Sequence, residues 1–332
     1  MSRDKVTLVI PTYNMSGYIQ DLWSSIITSG LYTELSEVIF VDDGSTDDTL
    51  TILESLSSPN SEEVGLRIVS YSDNKGRFMA RYIGAKEASS ERILFLDSRI
   101  ILPDDFGKEF AQVKNEYNSV VGSVDIDVNR SVYCLYWERS HKLVFTRHFK
   151  ESDSVIILDQ YNYDDYLKGT GVFLCSRKIF IECCNNYITK PLLSDDTYLM
   201  KDMVMIQPIA IHPKLRISWV PRENLKDFLL RMWERGPSFV EYHIFASRGG
   251  FFKLVMFLLI ALLGVIICGF FNPLFLLLAF VFSMLLVSFS TIFMSENIGE
   301  FFRLLPIHVL TVFTFGAAIL YGIAVNITKS NP

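Results

Sequence analysis

The sequence predicts an α/β domain followed by an α-helical membrane domain. Three observations carry this. Three apolar strands near the start, Val6–Ile10, Glu37–Val41 and Arg92–Leu96, each run into a polar turn. Helical apolar spacing separates them, the strand–helix alternation of a doubly wound parallel sheet, whose ligands sit at the carboxyl edge. Beyond residue 254 the composition changes to long runs almost free of charge.

The elements follow in order. Val6–Ile10 is a buried strand ended by Pro11, and Ile19, Leu22, Trp23 and Ile26 set a helix over Tyr18–Thr28. After the second strand, Thr46–Leu56 reads as a helix with Ser45 or Thr46 as its cap and acids in its first turn. Arg67–Tyr71 is a third strand, Arg77–Ala88 a helix, and Arg92–Leu96 the fourth strand. Leu254–Phe271, Leu274–Phe293 and about 304–325 each approach the ~20 residues that cross a bilayer. Ser295–Phe302 also suits an interfacial helix.

Composition narrows the class. The chain has 332 residues and a net charge of -6, with no basic tract, so a nucleic-acid partner is not expected. Its five cysteines, Cys134, Cys175, Cys183, Cys184 and Cys268, show no zinc spacing and no disulfide framework, which suits a reducing compartment. Met1–Lys5 leads straight into a strand, without the pattern of a secretory signal. Arg231, Arg235, Arg248, Lys253 and Arg303 flank the spans on the side of the soluble domain, against Lys329 on the other. The positive-inside rule therefore places the α/β domain in the cytoplasm of a multi-pass cell-membrane protein.

Four ordered segments carry a resemblance: Val9-Ile-Pro-Thr-Tyr-Asn14, Val41-Asp-Asp-Gly-Ser-Thr-Asp47, Asn74-Lys-Gly-Arg-Phe-Met-Ala-Arg81 and Leu94-Phe-Leu-Asp-Ser98. Together they resemble the family 2 glycosyltransferases, closely over the first ~110 residues and more loosely to about 240. The resemblance implies the GT-A fold, a UDP- or GDP-linked sugar donor and inversion at the anomeric carbon. It divides the chain into a GT-A domain over 1–225, an amphipathic juxtamembrane segment over 226–253 and transmembrane helices over 254–327.

Site residues follow from the same resemblance, each beside a plainer role. Pro11 and Tyr13 end the first strand where a nucleobase packs, though any strand-ending turn looks alike. Asp42 or Asp43 accepts from the base or ribose, Asp42 being favoured for the base; Asp-Gly-Ser-Thr is also good turn chemistry. Lys75, Arg77 and Arg81 open a helix suited to a pyrophosphate, or form a solvated basic face. Gly169 and Gly171 belong to a strand below the donor sugar, or to a simple bulge. Asp195 and Asp196 match an acidic pair heading a helix. Its second member, Asp196, is the general base, and the plainer role is a favourable charge at a helix start. Arg231 and Arg235 face lipid phosphate or the leaving diphosphate, or serve only as positive-inside anchors.

One position leaves the family pattern. The metal motif carries two Asp separated by one residue, whereas here Asp97-Ser98 is followed by Arg99. Two expectations stay open. Either Asp97 holds Mn2+ or Mg2+ with His212 as a later ligand, or Arg99 takes over part of the ion's charge. The expected acceptor is a polyprenyl phosphate or a lipid-linked saccharide in glycan biosynthesis. A processive synthase is disfavoured, because no Gln-x-x-Arg-Trp motif occurs. A nucleotidyltransferase would open on a glycine-rich basic loop, and a catalytically inactive scaffold on the same fold is the alternative that Arg99 suggests.

Overall fold

A computed structural model describes residues 5–58, 63–189, 195–245 and 251–330, with the side chains of 195, 329 and 330 outside that description. The chain forms two compact units, Met1–Ile126 with Arg147–Val220, and Asp127–Thr146 with Pro221–Pro332.

The first unit is built on one mixed sheet. Its elements are β1 (Val6–Thr12), α1 (Ile19–Thr28), β2 (Leu35–Asp42), α2 (Thr49–Ser55), β3 (Gly65–Ser70), α3 (Arg77–Glu87), β4 (Arg92–Leu96), β5 (Ile100–Ile101), α4 (Phe106–Glu116) and β6 (Val120–Asp125). After the segment that joins the second unit come α6 (Thr146–Lys150), β7 (Ile156–Leu158), β8 (Val172–Ser176), α7 (Arg177–Asn185), α8 (Asp195–Ile206) and β9 (Ile209–Trp219). Sheet order among the described residues is β3-β2-β1-β4-β8-β6-β9-β5, with β7 also on β9. The first four strands in space are parallel, and β8 then runs antiparallel to both β4 and β6.

Continuous burial explains the central strands: every residue of β1 is buried, as a strand covered on both faces must be. One face carries Leu8, Ile10 and Leu94 against Leu22, Ile26, Phe106 and Phe110. The other carries Val9, Ile39 and Phe95 against Ala80, Phe180 and Met203. Gly84 lets α3 lie directly on β1, since a Cβ there would stand 2.3 Å from Val9 Cγ1. In β9 the register jumps between Gly122↔His212 and Ser123↔Arg216, so Pro213, Lys214 and Leu215 form a bulge, with Leu215 kept in the core. Proline is tolerated at such a bulge because no ladder donor is needed there.

Helix α2 starts three residues later than the sequence suggests. Ser45, Thr46 and Asp47 are used instead to hold the exit of β1. Asn14 N–H donates to Ser45 Oγ at 2.9 Å, Thr46 N–H to Asn14 Oδ1 at 2.8 Å, and Ser16 N–H to Asp47 Oδ2 at 3.2 Å. Gly44, at φ 71°, lies so close to the Asp73–Asn74 backbone that a Cβ would meet it at 2.9 Å.

The second unit holds α5 (Val132–Val144), α9 (Leu225–Val240) and three apolar helices, α10 (Phe252–Phe271), α11 (Leu274–Met294) and α12 (Ile298–Ser330). Those three are long and apolar enough to cross a membrane. The third expected span thus begins earlier than 304, because Asn297 caps it through Glu300 N–H at 2.9 Å and Pro306 is accommodated inside. Small residues seat α9 on α12: a Cβ on Gly236 would stand 2.4 Å from Ala318 Cβ. Within the bundle His308 is buried, its ring nitrogens 3.4 Å from the hydroxyls of Thr291 and Ser290. Arg248, of the basic flank, lies outside the described residues.

Arg139 ties α5 to α12. Its side chain is 8% exposed, with Nε and Nη2 donating to both oxygens of Glu300 at 3.0 and 2.8 Å, and Nη1 to Glu138 at 2.6 Å. Removing one partner of such a pair leaves an uncompensated buried charge. Arg139→Ala is therefore expected to lower stability by about 3 kcal/mol, read as a depressed melting temperature of the detergent-solubilised protein. A melting curve that overlays the wild type would show that this cluster contributes nothing.

Candidate active site

Most candidate site residues of the first unit gather at the carboxyl ends of β1, β2 and β4 and along α3, with Asp196 at the start of α8 and His212 apart on β9. At the end of β2, Asp42 is 1% exposed, with one bond within the chain on each carboxylate oxygen. Its Oδ1 accepts from Ser45 N–H at 3.3 Å and its Oδ2 from Ser70 Oγ at 3.0 Å. Asp43 N–H donates to Thr12 O at 2.9 Å, and Asp43 Oδ1 accepts from Lys75 N–H at 2.7 Å. Both carboxylates thus order the loops of the edge, the turn role that the sequence left beside nucleobase recognition. Burial, with Asp43 and Asp42 next to it, pushes the Tyr71 phenol well above its ordinary range. Tyr13 stands 41% exposed just past β1, and Pro11 is buried in that strand.

Helix α3 carries the basic face. Arg81, 2% exposed, donates from Nη2 to Asp97 Oδ1 at 3.1 Å. Arg77, one turn earlier, has Nη2 3.5 Å from Asp196 Oδ1. Residues four apart on a helix are neighbours, about 6 Å between Cβ atoms. One helix face therefore holds Asp97, from the end of β4, next to Asp196, from the start of α8. Lys75 lies with Nζ 4.6 Å from the centroid of the Tyr71 ring. Gly171 O accepts from Asp97 N–H at 3.1 Å, which puts the glycine strand beside Asp97; Gly169 precedes it with open space around its Cα.

Asp196 is half-buried and accepts at Oδ1 from Thr197 N–H at 3.2 Å, a helix-start contact. Tyr163 pins this helix start, its hydroxyl donating to Thr197 O at 2.8 Å. The side chain of Asp195 lies outside the described residues, although its backbone opens α8. Beneath Tyr163, Lys168 stacks 3.8 Å from the ring centroid, and burial lowers its pKa to about 8. Sequence reasoning passed over Tyr18, Tyr163 and Lys168. The lysine and the aromatic spacing in Tyr163-Asp-Asp-Tyr-Leu-Lys168 was the available signal for the last two.

Arg99 is nearly buried, its guanidinium 4.6 Å over the Tyr18 ring and Nη2 donating to Tyr18 Oη at 3.0 Å. His212 is not brought to Asp97. It stands on β9 opposite Gly122, three strands from β4 and so roughly 14 Å across the sheet. It packs instead on the Tyr117 ring at 5.6 Å, and burial pushes its pKa down. Among the described residues no three His, Cys, Asp or Glu side chains come together as metal ligands. A divalent ion at Asp97 would find one carboxylate already bonded to Arg81, with a second guanidinium two residues on. Such ions take oxygen ligands and are repelled by these cations, so the donor set does not fit one.

The remaining pair belongs to the second unit. Arg235 lies 4.3 Å over the Trp137 ring, and Arg231 pairs with Glu234 at 3.1 Å on an exposed stretch of α9.

Comparison with known proteins agrees with this architecture. The profile described as glycosyl transferase family 2 matches residues 7–179. The chain belongs to that family. It is 31% identical over 118 residues to poly(ribitol-phosphate) beta-N-acetylglucosaminyltransferase TarS of Staphylococcus aureus, covering 35% of this chain and 20% of that protein. It is 28% identical over 131 residues to the undecaprenyl-phosphate 4-deoxy-4-formamido-L-arabinose transferase of Yersinia pestis, covering 39% of each. The chain thus spans from a fifth to two fifths of the length of these relatives. Its fold matches the mannosyltransferase PcManGT of Pyrobaculum calidifontis, solved in complex with GDP-Man and Mn2+. The TM-score is 0.52 at 17% identity, over 75% of this chain and 65% of that one. The first unit accordingly has the GT-A fold, in a chain whose C-terminal helices are apolar enough to span a membrane.

Proposed function

We propose that this chain is a membrane-anchored, inverting glycosyltransferase that moves a sugar from a UDP- or GDP-linked donor to a lipid-linked or polyprenyl-phosphate acceptor. The observation that carries the reading is the pairing on α3: Arg81 with Asp97 and Arg77 with Asp196, which set a diphosphate-binding face next to a carboxylate. The nucleoside lies over the ends of β1 and β2, with Pro11 and Tyr13 against the base and Asp42 or Asp43 toward base and ribose. Asp42 has only its remaining lone pairs to offer, because two are taken within the chain.

The reaction is a single displacement. The acceptor oxygen attacks the anomeric carbon, and the bond from that carbon to the diphosphate breaks. Asp196 takes the acceptor proton when the acceptor is a hydroxyl. Arg77, Arg81 and Arg99 receive the charge that develops on the leaving diphosphate. Arg77 exchanges Asp196 for a phosphate oxygen as donor binds, which frees the carboxylate for its proton. A polyprenyl phosphate arrives ionised and needs little from Asp196. The relative named for undecaprenyl phosphate and the three apolar helices support an acceptor held in the bilayer, with the GT-A unit on the cytoplasmic face.

The test is transfer by the full-length protein in detergent, using a panel of UDP- and GDP-sugars with undecaprenyl phosphate and with a lipid-linked disaccharide. Transfer of one sugar to one lipid is the expected result. Tight nucleotide binding without transfer or donor hydrolysis would give the protein the inactive, scaffolding role instead.

A further inference from the structure

The arginine in the metal motif has a partner set and a charge balance of its own. Resting on the donor site just proposed, we infer that this chain binds the diphosphate of its nucleotide through guanidinium groups, Arg81 and Arg99, in place of a divalent cation.

Charge bookkeeping supports this first. Exchanging a carboxylate for a guanidinium raises the local charge by two units, which is the charge of a divalent ion. Asp97 with Arg99 therefore presents a diphosphate with the same net charge as two carboxylates and one such ion. Adding the ion to the arginine would overcharge a half-buried edge. Position comes second. Arg99 follows β4 by three residues and lies against Tyr18, which ends the loop leaving β1, so its guanidinium sits at the carboxyl edge where two central strands end. That edge is where an open α/β sheet receives its ligand. Order comes third. The guanidinium lies 4.6 Å from the Tyr18 ring centroid and donates from Nη2 to the Tyr18 hydroxyl at 3.0 Å, two contacts that restrain the planar fork. A fixed fork binds phosphate oxygens with less ordering cost than a mobile side chain. Arg81 is likewise held, by Asp97, one turn from Arg77 on the same face. The remaining ligand proposed from sequence, His212, faces Tyr117 three strands away.

The experiment is calorimetric titration of UDP and of GDP into the full-length protein in detergent, once in excess EDTA and once in Mn2+. Binding of one nucleotide with the same Kd in both buffers, within a factor of about three, is expected. Inorganic pyrophosphate in EDTA should displace it. Loss of a charge-assisted phosphate contact is worth about tenfold or more in Kd. Arg99→Ala should therefore weaken the diphosphate by that factor in EDTA while sparing UMP or GMP. Tyr18→Phe, which keeps the ring, should retain binding with a smaller loss and shows that the fork, rather than the fold, is being read. Arg99→Asp should bind only when Mn2+ is present. Tenfold or greater tightening of the wild type by Mn2+, or loss of binding in EDTA, would overturn the inference and leave the glycosyltransferase reading intact. Failure of both nucleotides to bind in either buffer would overturn the two together.

Discussion

Asp196→Asn is expected to cut transfer to a hydroxyl acceptor by ~10²-fold or more while nucleotide affinity changes little. The amide keeps the shape and still accepts from Thr197 N–H, so the start of α8 should hold. What disappears is the proton acceptor and the charge that faces Arg77 at 3.5 Å. Freed of that carboxylate, Arg77 should bind diphosphate at least as well as before. Initial rates against acceptor concentration, with the nucleotide Kd measured alongside, separate the two effects. A mutant that turns over like the wild type with a hydroxyl acceptor removes Asp196 from the chemistry. Full activity toward undecaprenyl phosphate alone would instead identify an acceptor that needs no base.

Gly84→Val should be strongly damaging to the first unit. A Cβ at this position already stands 2.3 Å from Val9 Cγ1 and 3.0 Å from Val41 Cγ2, and both belong to buried central strands that have no room to retreat. Helix α3 must lift from β1. Overpacking of this kind costs about 3 kcal/mol or somewhat more, a fall in melting temperature of roughly 10 °C for a unit of this size. Because α3 also carries Arg77 and Arg81, nucleotide binding should weaken in step with the lost stability. Gly17→Val is the control, since nothing lies within 4 Å of its Cβ position. Equal melting temperatures for the two variants would mean that α3 does not rest on β1 as closely as described.

The parallel half of the sheet was legible because its strands are unbroken apolar runs. β1, β2, β3, β4 and α3 fall within two residues of where periodicity puts them. The start of α2 was not, because Ser45 and Thr46, which look like caps of their own helix, bond Asn14 at the β1 exit, 31 and 32 residues earlier. The far half, β5 to β9, depends on pairings such as Gly122 with His212 across a bulge, and no local pattern encodes them. Site residues show the same division. Asp97, Arg77 and Arg81 were named from motif order. That Arg77 meets Asp196, 119 residues away (196 minus 77), and that Arg99 settles on Tyr18, 81 residues away, are facts of packing. The role of α5 was hidden for a different reason. Its buried Leu135, Tyr136 and Trp137 read the same whether a helix covers a sheet or joins a bundle.

That placement of α5 bears on how the protein can be taken apart. The apolar helices look like a detachable tail, and a stop near Gly250 looks like a route to a water-soluble enzyme. Yet residues 127–146 leave the GT-A unit between β6 and α6 to join the same compact unit as α9 to α12. A chain ended at 250 keeps α5 and α9 without the surfaces of α11 and α12 that they cover. It should aggregate or cling to detergent through Tyr136, Trp137 and Phe228. The anchor is therefore no interchangeable cassette. Grafting the tail of another transferase onto this one, or recombining the two genes at a single junction, would leave an orphaned helix inside the catalytic sequence.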